Sequence, residues 1–327
     1  MTKDQSSLQK RLSEEINDYA WEFEANRIAK MLSAAGNLPS DPLVSSAHST
    51  LERRGQLCWP TLGSRRVWYA PVAIFLNNCV EVCHSALDSS RGSAERSCRW
   101  YNGLKFIVYD NPTVDKIEGA PNLKPDLVGG LGINPDERFA WNPTDPYTNQ
   151  ILLPVEVGKD WASVVIQAAK CARCLFDVDP SRQFALVLGF GHIKAELRFL
   201  VFHRSGLTAS KPLSFKDEQG QKDILRIFLS ILGWESANDA GFLEFHDGVE
   251  MCLLRHKDDV TGTVARVAEV LQDELGVRGR GSKIFFVRYP GYEGKEPEPP
   301  IPTIWARRRT ESESRTKRGG EIRIIRT

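Results

Sequence analysis

This chain is short of the features that settle a function at a glance. Its 327 residues include 3 methionines and 6 histidines, and the histidines are dispersed, with no HExxH or other ligand spacing that would mark a metal centre. Charge of one sign is also missing. Lys plus Arg number 43 against 42 for Asp plus Glu, a formal net charge of +1, so no global field recruits nucleic acid or an anionic membrane. No apolar run reaches the length of a membrane span, and Met1-Thr2-Lys3-Asp4-Gln5 is polar, without the apolar core of a secretory leader. A disulfide framework is not expected, because the 7 cysteines are an odd and scattered set. That usage points to reduced thiols and an intracellular site, cytoplasmic or nuclear. Cys171-x-x-Cys174 and Cys79-x-x-x-Cys83 lie in helix-like apolar stretches rather than turns, so they read as buried, inert thiols and not as zinc ligands.

What is present suits a globular protein. The chain is 41% hydrophobic and 26% charged, with length enough for two domains and a sizeable core. Leu12, Ile16, Tyr19, Phe23, Ile28 and Met31 recur at helical spacing and predict one amphipathic helix from about Gln9 to Ala35. Gly36-Asn37-Leu38-Pro39 ends it. Residues 39–64, rich in Ser and Pro, read as a linker. A helix follows from Val67 to about Ala86, then strands at Lys105–Tyr109, Pro125–Val128 and Ile151–Val157, a crossover helix from Trp161 to Phe176, two more strands at Gln183–Leu188 and Glu196–Phe202, and a helix from Gln221 to Leu232. This order predicts an α/β fold with a central mixed sheet flanked by helices. Val260–Leu275 reads as a further helix leading into a glycine-rich turn and a strand, and the Arg-, Glu- and Ser-crowded tail as disordered. The expected organisation is an N-terminal helix (1–38), a linker (39–64), the α/β core (65–245), a helix with a Gly-rich hairpin (246–300) and a disordered tail (301–327).

Two carboxylates stand out. Asp126 opens an apolar run after Pro125, and Glu156 sits between Val155 and Val157 in a strand pattern. Burying an unpaired carboxylate is costly, so two acids in such settings suggest a shared task. At one sheet end they are candidate ligands for a hard divalent cation such as Mg²⁺. Gln167 and Lys170 lie one turn apart on the following helix and join the candidates, as does Lys159 just past the strand. The bland reading is a turn-forming Pro-Asp and a solvent-facing strand glutamate, and it stands beside the sharp one.

Pro125-Asp126, a spacer, Glu156-x-Gly158 and helical Gln167 resemble the PD-(D/E)XK nuclease core. The departure is Gly158, which stands where that core has its lysine. The run from Trp161 to Trp234 resembles the N-terminal region of the fungal-type protein kinases, in Gln167-Ala168-Ala169-Lys170-Cys171-Ala172-Arg173-Cys174-Leu175-Phe176, His203-Arg204-Ser205-Gly206 and Leu229-Ser230-Ile231-Leu232-Gly233-Trp234. Arg278-Gly279-Arg280-Gly281-Ser282 is similar to the start of a kinase lobe, where such a loop lets the backbone approach ATP phosphates, making Gly279 and Gly281 candidate nucleotide contacts. Trp305, Arg309 and Glu311 follow in the kinase order, but Pro302-Thr303-Ile304 leaves no phosphate-clamping lysine before the tryptophan. No HRD-x-x-x-x-N or DFG follows either.

The resemblance therefore implies the N-terminal, non-catalytic regulatory or partner-binding part of a fungal-type protein kinase, its kinase lobe cut to a first hairpin, with a protein partner, no cofactor and no membrane. The alternative is a Mg²⁺-dependent nuclease acting on nucleic acid, with Asp126 and Glu156 on the metal and Lys170 or Lys159 replacing the missing lysine.

Overall fold

The computed structural model describes residues 20–55, 64–91, 103–109, 125–131, 151–178, 182–203, 206–242 and the strand residues beyond, apart from a few isolated positions within or outside these ranges. The chain falls into two compact units that part after Phe242.

In the first unit, β1 (Ala20–Phe23), α1 (Ala25–Leu32) and α2 (Asp41–Arg53) precede a 3₁₀ turn (Arg65–Trp68) that runs into the long α3 (Tyr69–Arg91). Strands β2 (Lys105–Val108), β3 (Leu127–Gly130) and β4 (Ile151–Gly158) follow, then α4 (Trp161–Val178). Next come β5 (Phe184–Gly191), β6 (Glu196–His203), β7 (Gly206–Ser210), β8 (Leu213–Ser214) and α5 (Glu218–Leu232). The sheet runs β1-β7-β6-β5-β4-β3-β2, with β8 attached to β6. β4 pairs parallel with β5 through the α4 crossover, β1 pairs parallel with β7, and the other pairs are antiparallel. The predicted mixed α/β sheet flanked by helices is what forms.

β5 shows why the sheet is covered on both sides. Leu186, Leu188 and Phe190 join the core made with α1, α2, α3 and α5, while Ala185 and Val187 join the core under α4. A strand buried on both faces reads as one continuous apolar run. On the α4 side, glycine creates the room for close packing. A Cβ on Gly189 would stand 2.9 Å from Val164 Cγ1, and one on Gly158 only 2.4 Å from Val164 Cγ2. α5 starts at Asp217, whose carboxylate accepts the Gly220 N–H at 2.7 Å, an N-cap that satisfies one orphan donor.

Four expectations are corrected. The N-terminal segment is not one helix: Ala20–Phe23 extends along β7, and helix resumes at Ala25. Residues 39–64 contain α2, whose Val44, Ala47, His48 and Leu51 are buried at helical spacing and whose Pro42 occupies the first turn, where its missing N–H costs nothing. Val260–Leu275 contains a strand, not a helix, and the tail contains a strand at its end. By length and composition α3 with its 3₁₀ lead-in also passes the test for a membrane span that no run was expected to pass; here Val72, Leu76, Cys79, Val82 and Cys83 are core residues.

The second unit holds a five-stranded antiparallel sheet. β9 (Phe245–His246), β10 (Glu250–Leu253), β11 (Thr263–Asp273), β12 (Ser282–Arg288) and β13 (Glu321–Arg326) lie in the order β13-β12-β11-β10-β9. The helical spacing of β11 has a definite cause. Val267 pairs with Val287 and Val270 with Phe285, so three residues on β11 face two on β12 across register shifts. Each bulge adds a residue, and a spacing of three then coexists with a strand. Gly279 and Gly281 fall in the connection between β11 and β12, outside the described residues, as do Trp305, Arg309 and Glu311.

Candidate functional site

β3 and β4 are antiparallel with Leu127 opposite Val155. One step further along that register sets Asp126 opposite Glu156, on one face at the C-terminal end of β4. Both acids are buried, each 6% exposed. Their expected convergence at one sheet end is what the register produces.

Each oxygen of Asp126 has a partner. Oδ2 accepts the Val157 N–H at 2.9 Å. Oδ1 accepts the Tyr69 hydroxyl from the first residue of α3, and Arg65 Nη2 lies 3.8 Å from the same oxygen. Glu156 turns toward α4, where the Cys171 thiol donates to Oε1 at 3.1 Å. Burial pushes the Glu156 carboxyl up to about 8, and the neighbouring Asp126 charge adds to it; the Cys171 bond, Arg65 and Lys170 pull the other way. At neutral pH Glu156 is therefore mostly protonated. Tyr69 is raised by burial and by its bond to Asp126. The Cys171 thiol is raised by burial and by Glu156, which makes it inert.

The candidate cations separate. Lys170 is 6% exposed, holds Gln167 Oε1 at 3.4 Å, and is drawn down by burial while Glu156 opposes the shift. It belongs to the cluster. Lys159 lies exposed beyond the end of β4, one step off the face that carries Glu156. A further acid, Glu81 on α3, is exposed and paired with Arg54 at the C-terminal end of α2. Arg65, Tyr69 and Cys171 are the members that sequence reasoning missed. Cys171 carried a signal, since it follows Lys170 on the α4 face that meets β4. The other two carried none, because only packing brings the start of α3 to the sheet end.

Gly158 closes the position of the absent lysine. It shares a face with Glu156, and Val164 fills the space in front of it. The Gly158 carbonyl is taken by both the backbone N–H of His192 (3.1 Å) and its Nδ1 (2.8 Å). Mg²⁺ demands near-octahedral oxygen ligation and keeps several waters. Here one carboxylate has both oxygens engaged, the other is held near neutrality, and no group of three or more His, Cys, Asp or Glu able to hold a metal occurs among the described residues. The cluster as folded does not fit a resident Mg²⁺.

No curated protein and no solved structure matches this chain. A family model does: the one described as fungal protein kinase matches residues 136–316, more than half of the sequence. That stretch takes in Glu156, Gly158, the α4 face with Gln167, Lys170 and Cys171, and the β11–β12 hairpin, and on it the chain belongs to the fungal protein kinase family.

Proposed function

We propose that the first unit is a non-catalytic regulatory or partner-binding module of a fungal protein kinase, built on a PD-(D/E)XK-like core whose site has closed, and that the second unit holds a hairpin like the opening of a kinase lobe. The observation that carries this reading is the filled space at Gly158. A hydrolytic site needs a cation beside its acids to stabilise developing phosphate charge; Val164 stands where that side chain would emerge, and a thiol and a phenol cap the two carboxylates. On the kinase side, Arg278–Ser282 resembles the glycine-rich opening of a kinase lobe, but Pro302-Thr303-Ile304 supplies no phosphate-clamping lysine before Trp305. The partner is a protein, and the site of action is intracellular.

The test is a pair of assays on purified protein. Labelled ATP with generic protein substrates, and DNA or RNA with Mg²⁺ or Mn²⁺, should both stay at background, and millimolar ATP should leave the melting temperature unmoved, since a ligand stabilises only by binding the native state. Phosphate incorporation that persists through purification to homogeneity overturns the module. Cleavage abolished by Asp126→Asn and Glu156→Gln supports instead the metal-dependent nuclease, for which Lys170 beside Glu156 is the favouring observation.

A further inference from the structure

The outer strand β1 is held in an unusual way. Its residues alternate weakly and stay mostly exposed, with Trp21 42% exposed. It pairs parallel with β7, Trp21 opposite Thr208 and Glu22 opposite Ala209. Parallel pairing is slightly weaker per residue than antiparallel. The outward side chains of β1 make surface latches, while Phe23 is partly buried against the main core with Arg27 over its ring. The Trp21 ring stacks on His203 with centroids 6.3 Å apart, Glu22 pairs with Arg198, and Glu24 pairs with Lys211. The exposed Glu24–Lys211 pair contributes little, whereas Arg198 in the other pair is mostly buried. Ahead of the strand, Ile16 is sunk in the core under α4. The segment also carries helical apolar spacing through Leu12, Ile16, Tyr19 and Phe23, so its local preference opposes its tertiary role. A conflict of this kind weakens the strand relative to one whose local preference agrees with the fold.

The acceptor, by contrast, is well built. β7 is buried along its whole length, Gly206 to Ser210, and anchored to β6 on its other side. Beside it Arg198 is fixed over the Trp161 ring at 4.3 Å, its side chain 13% exposed, with its guanidinium directed at the Glu22 carboxylate. Backbone groups along the edge give affinity in strand addition, and flanking side chains give selectivity.

We propose that the β7 edge is a strand-acceptor site for an extended segment of a protein partner, one with an acidic residue between two aromatic residues, and that the chain's own β1 is the displaceable plug of that site. Trp21-Glu22-Phe23 displays the ligand chemistry, with the acid meeting Arg198 and the leading aromatic meeting His203. The inference rests on the partner-binding reading. A tethered arm competes at an effective concentration on the order of millimolar, so a free peptide gains access once the arm is weakened.

The experiment uses the full chain and a fluorescein-labelled peptide of residues 12–24. In Trp21→Ser plus Glu22→Ala the peptide should bind roughly tenfold or more tighter than to the wild type, in keeping with removal of a tethered competitor. Adding Arg198→Glu should abolish binding, and the peptide carrying Glu22→Arg should restore it. Hydrogen exchange at Gly206–Ser210 should quicken in the weakened variant and slow again with peptide, a readout that does not depend on the Arg198 substitution. Equal affinity in both proteins, or peptide binding that leaves exchange at Gly206–Ser210 unchanged, overturns the proposal. If that happens while the phosphotransfer and cleavage assays stay blank, this acceptor site fails and the module reading stands; activity in either assay sinks the module reading itself.

Discussion

Replacing Glu156 with Gln probes the buried acid pair directly. The Glu156 carboxyl titrates near 4.5 when unfolded and near 8 when folded, chiefly because burial penalises its charge and Asp126 repels it. A folded-state pKa raised above the unfolded value means that the native state binds more protons. Its contribution is thus fully present below pH 4.5 and is lost as pH rises through 8. One pKa unit is worth about 1.4 kcal/mol, so the loss reaches roughly 3 kcal/mol by about pH 7 and levels off near 5 kcal/mol above the folded pKa. Glu156→Gln keeps an acceptor for the Cys171 thiol and removes the titration. The variant should match the wild type near pH 4.5 and exceed it by about 3 kcal/mol at pH 7, roughly 6–12 °C in melting temperature for a domain of this size. Denaturant unfolding of both proteins at intervals from about pH 4.5 to 8.5 gives the two curves, and titrations of groups that do not interact with Glu156 cancel in their difference. Parallel curves would refute the reasoning, because they would mean that Glu156 is charged in the folded protein and that Arg65 and Lys170 fully offset its burial.

Gly158→Lys restores the residue that the nuclease-like pattern calls for, but its Cβ must displace Val164. Overpacking of this kind costs typically about 1–3 kcal/mol, so the variant should melt lower, with no cleavage of DNA or RNA in Mg²⁺; gain of cleavage would show that the site is open. Gly220→Ala tests the seating of α5 on the sheet. A Cβ there would stand 1.9 Å from the Ser214 carbonyl oxygen, a backbone atom that cannot swing away. The variant should lose at least about 3 kcal/mol in urea unfolding, and a loss within the roughly ±0.5 kcal/mol of an ordinary surface change would contradict the packing described.

Periodicity carried most of the first unit's fold. The runs that became β4, α4, β5 and β6 combine strong apolar pattern with length, and they emerged close to where they were expected. Asp126 and Glu156 were legible for a related reason: an acid inside an apolar run is conspicuous, and the antiparallel register of β3 and β4 then brings the two together. Other features were beyond sequence. β1 is a strand because β7 offers a free edge, although its own spacing favours a helix. β11 wears a helical spacing because its bulges add residues that pairing with β12 absorbs. Arg65 and Tyr69 reach Asp126 only because α3 packs across the sheet end. The consequence of glycine at position 158 was also decided in three dimensions. Sequence alone showed a lysine missing, and a neighbouring lysine in Lys170 left room for a relocated cation. That Val164 occupies the space in front of Gly158 follows from how closely α4 lies on β4 and β5, and helix-to-sheet distance is a property of the packed layers that no residue specifies by itself.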